Sequence, residues 1–280
     1  MGRLLLVLFA VSVLDAAPAP TAPGAFQPPA DLEAFAKNVR EGIRLEYAEP
    51  VRFDYIEEGP DVDVSMLGKV SVGPVQTFEV RQNPSGGPWK RLIAVNGKPL
   101  DAKELGRLDA EHERNMQKLR SETPRQRAAR VKEEADENRE RDEILDDAER
   151  VFAFSYVSRD AIDGQPVFVF DLTPRANARV TTSDGQRMKK FAGRVWISVD
   201  DCRLARVRLQ AVDNVSVGWG AVARVDRGSG FDFVRKRVAG EWVASSLTIQ
   251  GTGSTLFFRN FSIKTVTKYS GHRPYAPTSE

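Results

Sequence analysis

The residues that could do chemistry are few in this chain of 280 residues. It has two histidines, His112 and His272, and one cysteine, Cys202. That is too little for a histidine-based metal cluster, a cysteine-rich metal site or an internal disulfide. His112 falls in a charged stretch and His272 near the C-terminus, so both read as solvated side chains. Asp200 and Asp201 adjoin, but neighbours on a strand point to opposite faces, and the pair reads as a turn rather than an acid–base dyad. No G-x-S-x-G elbow, phosphate loop, dinucleotide fingerprint or calcium loop occurs. Gly228-Ser229-Gly230 lacks the following helix that a phosphate site requires. Arg206, Arg208, Arg235 and Arg237 could meet anionic head groups, or could be ordinary water-facing positions of strands. The sequence thus carries no catalytic constellation, calls for no metal or cofactor, and reads as a non-enzyme.

Composition narrows the class further. Charged residues make up 29% and the hydrophobic class 41%, with a net charge of +2. This is a globular mixture, with no basic excess of the kind that marks a nucleic-acid partner. The N-terminus has one basic residue, Arg3, an apolar run from Leu4 to Leu14, and then Ala16, Ala17 and Ala19. That order is the layout of a secretory signal peptide, and the run is shorter than the about 20 residues a membrane span needs. Residues 1–25 are expected to be signal and leader, and the mature protein periplasmic. No cysteine follows the apolar run, so a lipid-modified N-terminus is not expected.

The rest, 26–270, reads as a single domain, with 271–280 a loose tail. Asp31 to Ile43 reads as a helix capped by Asp31, with Leu32, Phe35, Ala36 and Val39 on one face. Strands follow over Val51–Glu58, Val62–Val72, Val75–Gln82 and Trp89–Val95. Segment 101–150 is different: it holds 16 acidic and 12 basic residues, a net of −4, so the remainder carries +6. Two helices are expected there, about 101–121 and 124–149. Asp101 with Glu104 resembles a capping box, and Thr123-Pro124 with Gln126 forms a better one. Their apolar stripes are thin, so they can cover a surface or meet a partner but cannot build a core alone.

From Val151 onward strands alternate with tight turns. Asp163-Gly164 and Asp184-Gly185 are hairpin signals, since Asp and Gly tolerate positive φ. Gly228 to Gly230, Ala239-Gly240 and Asp200-Asp201 mark further turns. Val195, Ile197 and Val199 oppose Arg194, Trp196 and Ser198, and Ala205, Val207, Leu209 and Ala211 oppose Arg206, Arg208 and Gln210. One face is therefore covered and one wet. The expected fold is α+β and mainly β: a large curved antiparallel sheet of about 11 strands, an incomplete barrel over the N-terminal helix, with a charged two-helix insertion.

Three stretches carry a family resemblance: Val95-Asn-Gly-Lys-Pro-Leu100, Asp163-Gly-Gln-Pro-Val-Phe-Val-Phe-Asp-Leu-Thr-Pro174 and Phe191-Ala-Gly-Arg-Val-Trp-Ile-Ser-Val-Asp200. With the charged helices before the second, they resemble the LolA/LolB-like superfamily of outer-membrane lipoprotein-sorting proteins. Ser198 stands where such proteins often have an aspartate, and the charged insertion departs from the short transport members. The resemblance covers about 31–269 and implies an apolar cavity for acyl chains, with no catalysis. Candidate wall residues, taken from inward apolar positions, are Phe78, Phe168, Phe170, Val195, Val207 and Phe257. The expected partners are lipid acyl chains or lipoproteins. Two alternatives stand beside the cavity: Phe168, Phe170, Trp196 and Phe257 could pack as a filled core, and helices 101–150 could dock an envelope protein.

Overall fold

The computed structural model describes residues 32–48, 53–64, 70–82, 88–217, 223–255 and 260–275. The expected signal peptide, the cap Asp31 and the wall residue Phe257 lie outside them. Four helices are described: α1 (Leu32–Ala48), α2 (Ala102–Arg120), α3 (Pro124–Val151) and α4 (Ser183–Met188). The strands are β1 (Phe53–Val64), β2 (Val70–Arg81), β3 (Trp89–Val95), β4 (Lys98–Pro99), β5 (Phe152–Ile162), β6 (Gln165–Pro174) and β7 (Phe191–Ser198). After them come β8 (Leu204–Ala211), β9 (Val215–Val217), β10 (Ala223–Val225), β11 (Gly230–Val238), β12 (Glu241–Thr255) and β13 (Asn260–Pro274). They form one antiparallel sheet, not closed into a barrel. Its order is β4-β3-β2-β1-β13-β12-β11-β8-β7-β6-β5, with β9 and β10 paired beside β12.

The local turn chemistry explains most of the hairpins. Asp163 and Gly164 have φ of 52° and 73°, and Ala239 and Gly240 have 52° and 88°, so both tips have two successive positive-φ residues. Thr123 accepts from the Gln126 amide while the Gln126 side chain returns to the Thr123 amide, and Pro124 opens α3, so the capping box forms as read.

Three expectations fail for non-local reasons. Asp184-Gly185 is not a hairpin tip but lies in α4, and both residues are buried. Gly185 is required there by close approach: a Cβ would meet the Asp147 Cγ at 2.8 Å. Gly59-Pro60 and Gly73-Pro74 do not end strands but run inside β1 and β2. Thr267 of β13 crosses directly over Gly59, whose Cβ would lie 3.0 Å from the Thr267 Cα. Finally, a register shift between Trp196 and Ile197 turns Ala205 away from Val207 and into the opposite cluster with Val167, Val169, Trp196 and Trp242. The second face is therefore partly covered, not wet throughout.

The main core lies where α1 and the last turns of α3 meet β6, β7 and β8. It contains Val39, Ile144, Val151, Phe152, Phe170, Leu172, Val195, Ile197, Val207 and Leu209. Helices α2 and α3 connect β4 to β5, which are the two edges of the sheet. The charged insertion is thus the link that runs from edge to edge, rather than an excursion from a single hairpin.

Candidate functional site

Antiparallel partners share a face, so register carries one face across the sheet. Starting under α1, it runs Phe170, Val195, Val207, Phe233, Leu247 and Thr267 through successive strands. Two residues along β13 it reaches Tyr269, which is paired with Glu57, and Glu57 with Phe78, and Phe78 with Leu92. This helix-side face is the candidate site, and it has two chemically different halves.

The first half is apolar. Phe168, Phe170, Val195 and Val207 come together as the sequence suggests, and they meet α1. The Phe35 ring packs 5.5 Å from Phe168, edge-on, and 5.4 Å from Phe170. Yet α1 is shallowly set. Among its described side chains Val39 is buried, Phe35 and Ile43 are half-buried, and Leu32 is 44% exposed. Much of its attachment is ionic. Arg40 pairs with Asp146 and, at 2.8 Å, with Glu149, while Arg44 meets Asp142 at 3.1 Å and Asp146 at 3.0 Å. On the other side Glu46 meets Arg203 at 3.2 Å and Arg235 at 3.0 Å. Such part-exposed pairs contribute about 0–1 kcal/mol each and weaken in salt.

The second half is amphipathic. Phe78 lies here, away from the other wall residues, between Glu57 and Leu92. Lys90 Nζ donates to both Glu57 oxygens at 2.7 and 2.6 Å. The Tyr55 ring lies 6.0 Å from Tyr269 and stacks 5.5 Å from His272, which meets Phe53 edge-on at 6.4 Å. Burial, with the Glu57 charge, pushes the Tyr55 hydroxyl up to about 12, and pushes Tyr269 up in the same way. Both therefore stay neutral donors at any physiological pH. Burial and the nearby Lys236 charge push His272 below the ordinary imidazole value. His272 is thus a strand residue with a half-buried ring, not a solvated tail residue. Sequence reading missed this cluster, because β1 and β13 are distant in the chain.

His112 is not solvated either. Its ring stacks on Trp89 at 3.9 Å and 8°, and beside it Asp109 takes a two-point contact from Arg91, both bonds 2.6 Å. These contacts dock α2 on β3. The far end of the insertion is fixed by Asp147, which is fully buried. Burial alone would raise its carboxyl, but hydrogen bonds from the amides and hydroxyls of Thr182 and Thr181 and from Arg150 hold it below the usual carboxylate range.

The remaining candidates have structural duties. Asp200 and Asp201 sit in a turn that ends with Cys202 at φ 54°. Burial and Asp201 push the Cys202 thiol up, away from reactivity. Arg206 clasps Asp232 at 2.8 and 2.6 Å and lies 4.6 Å over Trp196, and Arg208 joins Asp232 at 3.1 Å. Arg237 meets Asp201 at 3.0 Å. Beside Arg208 and Asp232 lies a pit of about 240 Å³, lined also by Gln210, Gly230, Thr248 and Gln250. No group of three metal-ligating side chains occurs among the described residues. No helix among them is long and apolar enough to cross a membrane.

The chain is similar to several solved structures, each at low sequence identity. One is a LolA superfamily protein from Nitrosomonas europaea, at 10% identity over 87% of this chain and 93% of that one, TM-score 0.23. Another is a DUF1329 family protein from Desulfovibrio piger, at 11% identity over 89% and 95%, TM-score 0.27. A third is the Pseudomonas aeruginosa MucA/MucB complex, at 11% identity over 87% and 98%, TM-score 0.19. No family model and no curated protein matches the chain.

Proposed function

We propose that the protein is a periplasmic carrier or sensor that holds the acyl chains of a lipid or lipoprotein against the apolar half of the helix-side face. One observation carries this reading. Phe168, Phe170, Val195 and Val207 form a continuous apolar floor, and the helix over it is shallowly buried and held largely by part-exposed ion pairs. Lifting α1 would expose this floor, and an acyl chain would cover it again. Each buried methylene contributes about 0.8 kcal/mol, so a long chain needs no specific polar contact to bind.

A lock on α1 tests the proposal. A Cβ on Gly42 would lie 3.6 Å from the Cys202 carbonyl oxygen, an unstrained distance, so Gly42→Cys brings a second thiol beside the native one. Uptake of a fluorescent fatty acid should be normal in the reduced variant, lost on oxidation and restored by reductant. Equal uptake in both states would refute the displaced helix, and no uptake in either would refute acyl-chain binding itself.

A second reading, an envelope interaction module on the insertion, is favoured by α3. Of its 28 residues only Ile144, Leu145, Asp147 and Val151 are buried, leaving its first twenty outside the core. Charge reversal at Arg125, Arg127 and Lys132 tests it without disturbing the core, since loss of a co-purifying envelope protein with lipid uptake intact would support the module.

A further inference from the structure

The amphipathic half of the face poses its own question. Glu57 on β1 and Lys90 on β3 are opposite charges that meet across β2, held together at 2.6 Å, with 17% and 49% of their side chains exposed. They stand among aromatic rings: Tyr55 and Tyr269 on their own face, and His272 stacked on Tyr55. Both tyrosines are half-buried. His272 Nδ1 is buried and has no hydrogen-bond partner among the described residues. A core would normally satisfy such a group. Phe78 lies directly across from Glu57, and the face leads without interruption through Leu247 and Phe233 to Val207 and the floor beneath α1.

We infer that Tyr55, Glu57, Lys90 and Tyr269 form a head-group site for a zwitterionic phospholipid bearing a primary ammonium and a phosphate diester. This rests on the acyl-chain reading above and adds the polar end of the ligand. Charge complementarity selects this head group. The Glu57–Lys90 pair is net neutral, with its two charges side by side. An ethanolamine phosphate head is also net neutral, with its charges a two-carbon link apart. Exchange is therefore balanced: the ammonium takes the place of Lys90 on the Glu57 carboxylate, and the phosphate takes the place of Glu57 on Lys90. The tyrosine hydroxyls supply donors to the phosphate and ester oxygens, and their rings flank the ammonium. An anionic head would set a second negative charge beside Glu57 with nothing to balance it. A primary ammonium suits the carboxylate, because it can donate hydrogen bonds to it.

The test compares four single-chain ligands with the same acyl chain: lysophosphatidylethanolamine, lysophosphatidylglycerol, lysophosphatidylcholine and the free fatty acid. The ethanolamine lipid should bind the full mature chain about tenfold tighter than the glycerol lipid or the fatty acid, as one charged hydrogen bond predicts. Glu57→Gln should remove that preference and leave fatty-acid affinity unchanged. Lys90→Met, at a more exposed residue, should lower affinity for all three phospholipids but not for the fatty acid. Equal affinity for all four ligands, or a uniform loss in Glu57→Gln, would overturn the head-group site while keeping the acyl-chain reading. Choline lipid binding as tightly as ethanolamine lipid would assign the selectivity to the rings and overturn the role of Glu57. Failure of every ligand to bind would sink the acyl-chain reading, and this inference with it.

Discussion

Phe35→Ala is the substitution that most directly separates a movable cover from an ordinary core helix. The Phe35 ring makes two aromatic contacts, at 5.5 Å with Phe168 and 5.4 Å with Phe170. Each such pair contributes about 0.5–1.5 kcal/mol, and the half-buried ring adds about 1–2 kcal/mol from area removed from water. Together they amount to about 3 kcal/mol of the attachment of α1. Other described contacts of α1 include Val39, Ile43, the Arg203 bond to the Gly42 carbonyl and the ion pairs of Arg40, Arg44 and Glu46, none of which the substitution touches. If α1 lifts as a unit, its open population should rise about 100-fold. Amide exchange measured residue by residue should then accelerate by that factor over 36–48, while β6, β7 and β8 keep most of their protection. Fluorescent fatty-acid uptake should quicken in the same variant. The reasoning fails if α1 and β6 to β8 speed up together with uptake unchanged. That outcome would make α1 an inseparable part of one cooperative core.

Further predictions concern the anchor of the insertion, salt and acid. Asp147→Asn should cost about 3 kcal/mol, because the new amide would point donors at the Thr181 and Thr182 N–H groups that now bond the carboxylate. In thermal unfolding this reads as a fall of about 8 °C. Gly185→Ala should destabilise comparably, since its Cβ would press on the Asp147 carboxyl, and wild-type stability in that variant would refute the close packing. Raising sodium chloride from about 0.05 to 0.5 M should speed fatty-acid uptake, by screening the part-exposed pairs that tether α1, and no change would count against an ionic tether. Acid should destabilise the fold in two windows. His272 is depressed in the folded state, so its contribution is complete above the unfolded value of about 6.5 and is lost as pH falls toward the folded value. Asp147 is also depressed, so its contribution holds above about pH 4 and is lost below it. Denaturant midpoints measured from pH 3 to 8 check both, and His272→Phe should flatten the upper window alone.

What the sequence determined by itself was whatever depends on a few neighbouring residues. The Asp163-Gly164 and Ala239-Gly240 turns follow from local tolerance of positive φ. The break between α2 and α3 follows from Thr123, Pro124 and Gln126, whose capping bonds close within one turn. Alternation in β7 announced that Val195 and Ile197 would share a covered face, and the gathering of Phe168, Phe170, Val195 and Val207 was legible for the same reason. Only the tertiary structure decided the rest, because strand pairing is set between distant segments. Asp184-Gly185 has the composition of a turn, but its glycine serves the approach of Asp147 from another helix. Gly59 resembles a strand end, yet it is the place where Thr267 crosses. One extra residue in a strand sent Ala205 to the opposite face from Val207, which no period-two reading anticipates. Glu57, Lys90, Tyr55 and Tyr269 come together only because β2 lies between β1 and β3, and β1 between β2 and β13, in the sheet. Period-two patterning marks which side chains face inward; the register, fixed by packing across the whole sheet, decides which of them meet.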